Sequence, residues 1–291
     1  MMKRLLAALL AGVTAVGLSA CASAPDSAPA AEPVETAAMQ DTAVYGDAKN
    51  PKYVFLFIGD GMSYPQFQAA ADYLGAMADP EYMQAEPSIS QAGRKGAGVN
   101  RPKAPNFMNF DVAGSAVTYD SCSFAPDSAS TATSIATGHK TYSGMINVDE
   151  TGTKSYETIA EKLHDQKDWK VGVVSSVNIN HATPAAFYAH QASRNNYYEI
   201  GVEMVNSGFE YFAGGALLKP TGANGDQTSV YDLAQEAGYK VVKTQAEAEK
   251  VTSADGKVLL IDEHLADGDA MAYELDREDG QWALADYVEK G

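Results

Sequence analysis

Tyr53-Val-Phe-Leu-Phe-Ile58 is a continuous apolar run that ends in Gly59-Asp60-Gly61. A short, unbroken run of this kind marks a strand buried on both faces, as in a parallel sheet. Lys170-Val-Gly-Val-Val174 has the same character, and a polar loop follows it to His181. Shorter strands are predicted at Glu210–Ala213, Tyr239–Lys243 and Val258–Ile261, and another at Ala113–Tyr119. Helical patterning falls between them. Tyr64–Met77 reads as a helix, and Ser128–Thr137 as a small-residue helix ended by Gly138. Tyr156–Gln166 is amphipathic, with Ile159 and Leu163 on its inner stripe. Ala185–Val205 and Val230–Ala237 complete the set, and residues 79–106 read as irregular. Strands alternating with helices imply an α/β fold with a largely parallel central sheet flanked by helices. Ligands in such sheets gather beyond the carboxyl ends of the strands. Asp60 and the His181 loop are predicted to lie there, and Ser128 more loosely.

The chain has 291 residues, 45% of them hydrophobic and 20% charged, as a folded protein does. It carries 21 basic against 38 acidic side chains, a net charge of -17. That surface repels nucleic-acid backbones, so nucleic-acid binding is not expected. Phosphate esters are repelled too, so a site for them needs concentrated local positive charge, from metal ions or a placed arginine. The two cysteines are Cys21 and Cys122. No disulfide framework is expected, and Cys122 reads as a small, partly buried side chain.

Residues 1–20 join a basic start, Lys3 and Arg4, to an apolar core, Leu5 to Val16. This is a secretory signal rather than a membrane span. Leu18-Ser19-Ala20-Cys21 resembles a bacterial lipobox, in which the cysteine is acylated and becomes the new N-terminus. Ala22 rather than aspartate after it suggests the outer membrane, and without lipidation the protein would be freely periplasmic or secreted. Residues 21–48 are rich in Ala, Pro, Ser and Glu and read as a lipid-anchored or flexible linker. Residues 49–291 are then the folded part.

Three motifs carry chemistry. In Gly59-Asp60-Gly61, a carboxylate between glycines can reach an ion with little obstruction, although alone it reads as a helix N-cap. In Asp127-Ser128-Ala129-Ser130-Thr131-Ala132-Thr133, a serine opens a helix among small residues, where the helix dipole favours an anion. In His181-Ala182-Thr183-Pro184, imidazole and hydroxyl stand two residues apart in an extended loop and can share a metal site. Further along the next helix, Arg194 offers a planar fork for two phosphate oxygens. No G-x-S-x-G elbow and no G-x-x-x-x-G-K-[ST] loop occurs, which disfavours a standard α/β-hydrolase and a P-loop nucleoside triphosphatase.

Taken together these segments resemble the alkaline phosphatase family. The resemblance rests on Phe55-Leu-Phe-Ile-Gly-Asp-Gly-Met62, on Asp127-Ser128-Ala129 running into Thr137-Gly138-His-Lys-Thr141, and on His181-Ala-Thr-Pro-Ala-Ala186 with Ala189-His190 and Arg194. It continues weakly through Gly214-Gly215 and Met271-Ala-Tyr-Glu-Leu-Asp-Arg277, and covers about residue 50 onward. It implies an alkaline-phosphatase-like fold and hydrolysis of small phosphate monoesters. Ser128 matches the serine phosphorylated during turnover. Asp127 matches the neighbour that orients the phosphate-binding arginine, and Arg194 matches that arginine. Asp60 matches the aspartate that bridges a zinc and the magnesium site. His181 and Thr183 match the pair beside the third metal, so the implied metal residues are Asp60, Ser128, His181 and Thr183.

The resemblance also implies two Zn2+ and one Mg2+, with a homodimer compatible with it. The family draws most zinc ligands from a C-terminal portion, and the chain resembles the N-terminal portion. The expectation is therefore that the C-terminal strands and remaining ligands lie outside residues 1–291. On this reading those residues alone bind metal weakly, dissolve poorly and do not hydrolyse an aryl phosphate. A sulfatase or phosphodiesterase of the wider superfamily is the catalytic alternative, disfavoured because Cys122-Ser-Phe-Ala-Pro126 does not fit C-x-P-x-R. An inactive, membrane-tethered binding lipoprotein is the non-catalytic one.

Overall fold

The computed structural model describes residues 51–78 and 102–291. Contacts divide the chain into Met1–Phe57 and Ile58–Gly291. The expected signal, linker and Cys21 lie outside the described residues, as does most of the stretch 79–106.

In the first unit, residues 51–57 are described and form neither helix nor strand. Tyr53, Val54, Phe55, Leu56 and Phe57 are all exposed. The predicted Tyr53–Ile58 strand is therefore not formed among the described residues. An apolar run declares its need for burial but not the neighbour that must pair with its backbone, and none of the described residues forms a ladder with it. The predicted Ala113–Tyr119 strand is likewise not formed, and its side chains are exposed.

The second unit opens with α1 (Tyr64–Met77), capped by Ser63, whose N–H donates to Gln66 Oε1 at 3.0 Å. Next comes α2 (Ser128–Thr137). Its N-cap Asp127 accepts from Ser130 N, and Gly138 ends it at φ 76. Ala129, Ala132 and Ala136 line its buried face. Those small side chains let it pack closely against α4 (Ala182–Ala185). Between them, α3 (Ile159–Lys167) starts three residues later than expected. Ile159 is exposed, and Ala160 is the buried residue of this helix, because Thr158 forms a capping box with Glu161 that fixes its start.

Four strands form one parallel sheet in the order β1-β2-β4-β3. They are β1 (Gly172–Asn178), β2 (Tyr211–Gly215), β3 (Tyr239–Val242) and β4 (Lys257–Ile261). Apart from Lys257, the central pair is apolar because it is covered on both faces. Phe212, Leu259 and Ile261 enter one core with Ile179, Ile200, Met204 and Phe209. Tyr211, Ala213, Val258 and Leu260 alternate into the other with Val242, Met271 and Tyr287. The expected helix over Ala185–Val205 is split into α4 and α5 (Tyr197–Asn206), with an irregular loop between them. The remaining helices are α6 (Val230–Glu236), α7 (Gln245–Ala248) and α8 (Leu284–Lys290).

At the carboxyl end of the sheet, Gly214 adopts φ 135, and a Cβ there would stand 1.9 Å from Ser175 O. Only glycine fits that approach. The β1–β2 register shifts between Ser175 and Asn178. The Asn178 side chain donates to Ala216 O at 2.8 Å and Gly268 O at 2.9 Å, which fixes the strand end that leads to His181.

Candidate active site

Asp60 sits in a tight turn ahead of α1, with Gly61 at φ 65. It is not the helix N-cap, since Ser63 is, and it does not end a strand. Its carboxylate joins two remote segments. Oδ1 accepts from Ser128 Oγ at 3.0 Å, and Oδ2 accepts from Thr183 Oγ1 at 2.7 Å. Ser128 is the first residue of α2, so its hydroxyl is presented at the helix N-terminus. No strand leads directly into α2; an irregular segment does.

His181 and Thr183 do not lie in an extended loop as expected. His181 caps α4 and Thr183 is within that helix, because Asn178 turns the chain immediately after β1. Thr183 still faces Asp60, whereas His181 Nε2 lies 3.5 Å from Arg194 Nη2. Burial lowers the His181 pKa, the Arg194 charge lowers it further, and Asp60 pulls the other way. The net shift favours a neutral imidazole.

Arg194 is in the loop between α4 and α5, not on a helix. Its N–H donates to Gly144 O at 2.7 Å, and its Nη1 donates to Asp127 Oδ2 at 2.8 Å. Burial alone would raise the Asp127 pKa, but the Ser130 and Gly144 amides and the Arg194 guanidinium together hold it below the ordinary value. Asp127 thus does two jobs, capping α2 and clamping the arginine. The loop carrying Arg194 is itself pinned. Gln191 exchanges both backbone hydrogen bonds with Ile146 at 2.9 Å, and the buried Asn147 side chain donates to Ala186 O and Ala189 O at 2.8 Å each.

All six residues singled out in the sequence therefore converge: Asp60, Asp127, Ser128, His181, Thr183 and Arg194. Sequence reasoning missed Asp120, Ser130, Ser143 and Asn147, which hold those residues in place. Of these only Ser130 stands inside a motif. Cys122 is exposed rather than partly buried, because Asp120 draws its backbone into a tight surface turn. Asp262 is buried and accepts from His264 N and Tyr287 Oη at 3.0 Å each.

The donor set limits what ion the site can hold. Asp60, Ser128 and Thr183 offer oxygen ligands, which suit a hard cation such as Mg2+. Among the described residues no group of three or more His, Cys, Asp or Glu is arranged to hold a metal ion. A catalytic zinc takes about three protein ligands, so the described residues do not by themselves make a zinc site.

The alkaline phosphatase family model matches residues 48–213, more than half of the chain. The chain belongs to the alkaline phosphatase family. Alkaline phosphatase 4 of Bacillus subtilis (strain 168) is 30% identical over 247 residues, covering 82% of this chain and 47% of that protein. The cold-active alkaline phosphatase of a psychrophilic Shewanella aligns with a TM-score of 0.58 at 26% identity, over 80% of this chain and 50% of that one. A histidine-to-aspartate mutant of the alkaline phosphatase from the Antarctic bacterium TAB5, with Mg bound in its M3 site, aligns with a TM-score of 0.50 at 31% identity. That match covers 58% of this chain and 47% of the mutant. The chain spans about half the length, or less, of the curated family members it matches.

Proposed function

We propose that the protein containing this chain hydrolyses phosphate monoesters, with Ser128 as the phosphoryl acceptor. The observation that carries this reading is the Asp60 carboxylate. It holds the Ser128 hydroxyl on one oxygen and Thr183 on the other, beside an arginine clamped to the residue preceding the serine.

The chemistry follows from those positions. Arg194 spends Nη1 on Asp127, so the rest of its fork is aimed by a fixed partner and can bond phosphoryl oxygens. Neutral His181 beside it adds no charge to repel that guanidinium. The N-terminus of α2 adds its partial positive charge where the phosphoryl group would sit. Ser128 Oγ attacks phosphorus, the Oγ–P bond forms, the ester P–O bond breaks, and the departing oxygen is protonated as an alcohol. Water then attacks the phosphoserine, releasing inorganic phosphate and restoring the hydroxyl. Asp60 and Thr183 would hold Mg2+, which when bound supplies positive charge against the phosphoryl oxygens. Zinc is part of the family expectation, but these residues supply no complete set of ligands for it, and no step is assigned to it.

The substrate class is a small phosphate monoester, and export to the periplasm or outer membrane through Cys21 belongs to the same proposal. Trapping phosphate on Ser128 tests the central step. A stable fold that binds inorganic phosphate but never becomes phosphorylated would favour the binding lipoprotein instead.

A further inference from the structure

Asp120 is 5% exposed, and every group bonded to it is a neutral donor. Its Oδ1 accepts from Cys122 N at 2.9 Å and Ser123 N at 2.6 Å. Its Oδ2 accepts from Ser130 Oγ at 2.9 Å and from Ser143 Oγ in a very short bond. A buried carboxylate is costly unless its oxygens are satisfied. Here the donors more than offset burial and hold its pKa well below the ordinary carboxylate range. Such a fully satisfied buried anion fixes geometry more than it adds stability.

What it fixes is the setting of Arg194. Ser130 belongs to α2, and its hydroxyl also lies 2.9 Å from Asp127 Oδ1, while its N–H donates to the same oxygen at 3.1 Å. Ser143 precedes Gly144, whose carbonyl accepts the Arg194 N–H. The guanidinium and the backbone of Arg194 are thus held by two different segments, and Asp120 ties those segments together. The Ser130 hydroxyl has one hydrogen and faces two carboxylates, so it can serve only one of them at a time. Ser143 lets Asp120 remain satisfied when that hydrogen turns to Asp127, and the Ser130 amide does the same for Asp127 in the reverse case.

We propose that Asp120 is a positioning residue of this site, locking the first turn of α2 to the 143–144 turn so that Asp127 presents Arg194 to phosphate. The proposal rests on the phosphoryl-binding role given to Arg194 above.

Amide hydrogen exchange and binding of inorganic phosphate together test it. In Asp120→Ala the amides of Ser130 and Arg194 should exchange about tenfold faster, while those of Phe212 and Ala213 in β2 keep their protection. Asp120→Asn preserves shape and one acceptor, and should bring both amides back to within about threefold of the wild type. Unchanged exchange at Ser130 and Arg194 overturns the proposal, as does an equal loss everywhere in Asp120→Ala with no recovery in Asp120→Asn. Phosphate affinity should fall about tenfold in Asp120→Ala, and the double variant with Arg194→Ala should bind no worse than Arg194→Ala alone. Additive losses also overturn it. If Arg194→Ala binds phosphate as the wild type does, the functional reading fails instead, and exchange at Arg194 still decides the role of Asp120.

Discussion

Arg194 donates from Nη1 to Asp127 Oδ2 at 2.8 Å, across 67 positions of sequence, while its backbone N–H is held by Gly144 O. An arginine fixed at both ends loses little side-chain freedom when an anion arrives. Arg194→Ala should therefore weaken inhibition by inorganic phosphate tenfold to about a hundredfold, the worth of a charge-assisted pair. Arg194→Lys should not rescue it, because a single ammonium cannot reproduce the planar fork. Competition by phosphate against an aryl phosphate measures both, and inhibition unchanged in Arg194→Ala would place the anion elsewhere.

Thr183 reaches Asp60 Oδ2 at 2.7 Å from a helix that begins beyond β1. Thr183→Val keeps the shape and removes the donor. The Mg2+ concentration for half-saturation should rise about fivefold, the worth of roughly 1 kcal/mol. Asp60→Asn, which removes the charge, should abolish the Mg2+ response. Calorimetric titration with Mg2+ reads both changes, and identical curves for wild type and Asp60→Asn would contradict the assignment.

Five of the six converging residues were legible in the sequence because they stand in short motifs, and Arg194 was legible through the family resemblance. The inner strands were legible for a different reason: Val258–Ile261 and Glu210–Ala213 were read within one or two residues because runs buried on both faces carry no polar interruption. The run Tyr53–Ile58 looked the same and forms no strand among the described residues, since hydrophobicity does not name the pairing partner. Helix continuity across Ala185–Val205 failed at the loop carrying Arg194. There Asn147, Gly144 and Ile146 take the backbone bonds that a helix would have made internally. Asp120 was invisible because its partners are two backbone amides and two serines, and no spacing rule announces such a set.

The same loop is pinned by a half-buried charge cluster. His190 Nε2 lies 3.4 Å from Glu161 Oε2, and the His190 N–H donates to Glu203. Burial disfavours the charged imidazole, but Glu161, with Glu203 adding to it, raises the His190 pKa above its ordinary value. Burial would raise the Glu161 pKa too, but His190 and the Thr158 cap lower it. Burial of Glu203 raises its pKa and offsets part of the gain. A raised imidazole stabilises the fold below its unfolded pKa, and that contribution is lost as pH rises through the folded value. His190→Gln should therefore cost about 1 kcal/mol more near pH 6 than near pH 9. Urea denaturation at the two pH values gives the difference, and an equal loss at both would show that the pair carries no charge-dependent stability.

Export carries its own test. Leu18-Ser-Ala-Cys21 follows an apolar core, so the mature N-terminus should be a diacylglyceryl-modified Cys21. Mass spectrometry of the N-terminal peptide from membrane fractions should find it. A mature N-terminus that begins beyond Cys21 would rule out the anchor.

The most direct test of the account is whether phosphate is ever bonded to Ser128. The gene product, read through to its stop codon, would be mixed with an aryl phosphate in the presence of zinc and magnesium, quenched in acid, digested and examined by mass spectrometry. The account predicts phosphate on the peptide carrying Ser128, with none on that peptide and almost no turnover in Ser128→Ala. Phosphate on a different residue, or turnover in Ser128→Ala close to that of the wild type, would contradict it.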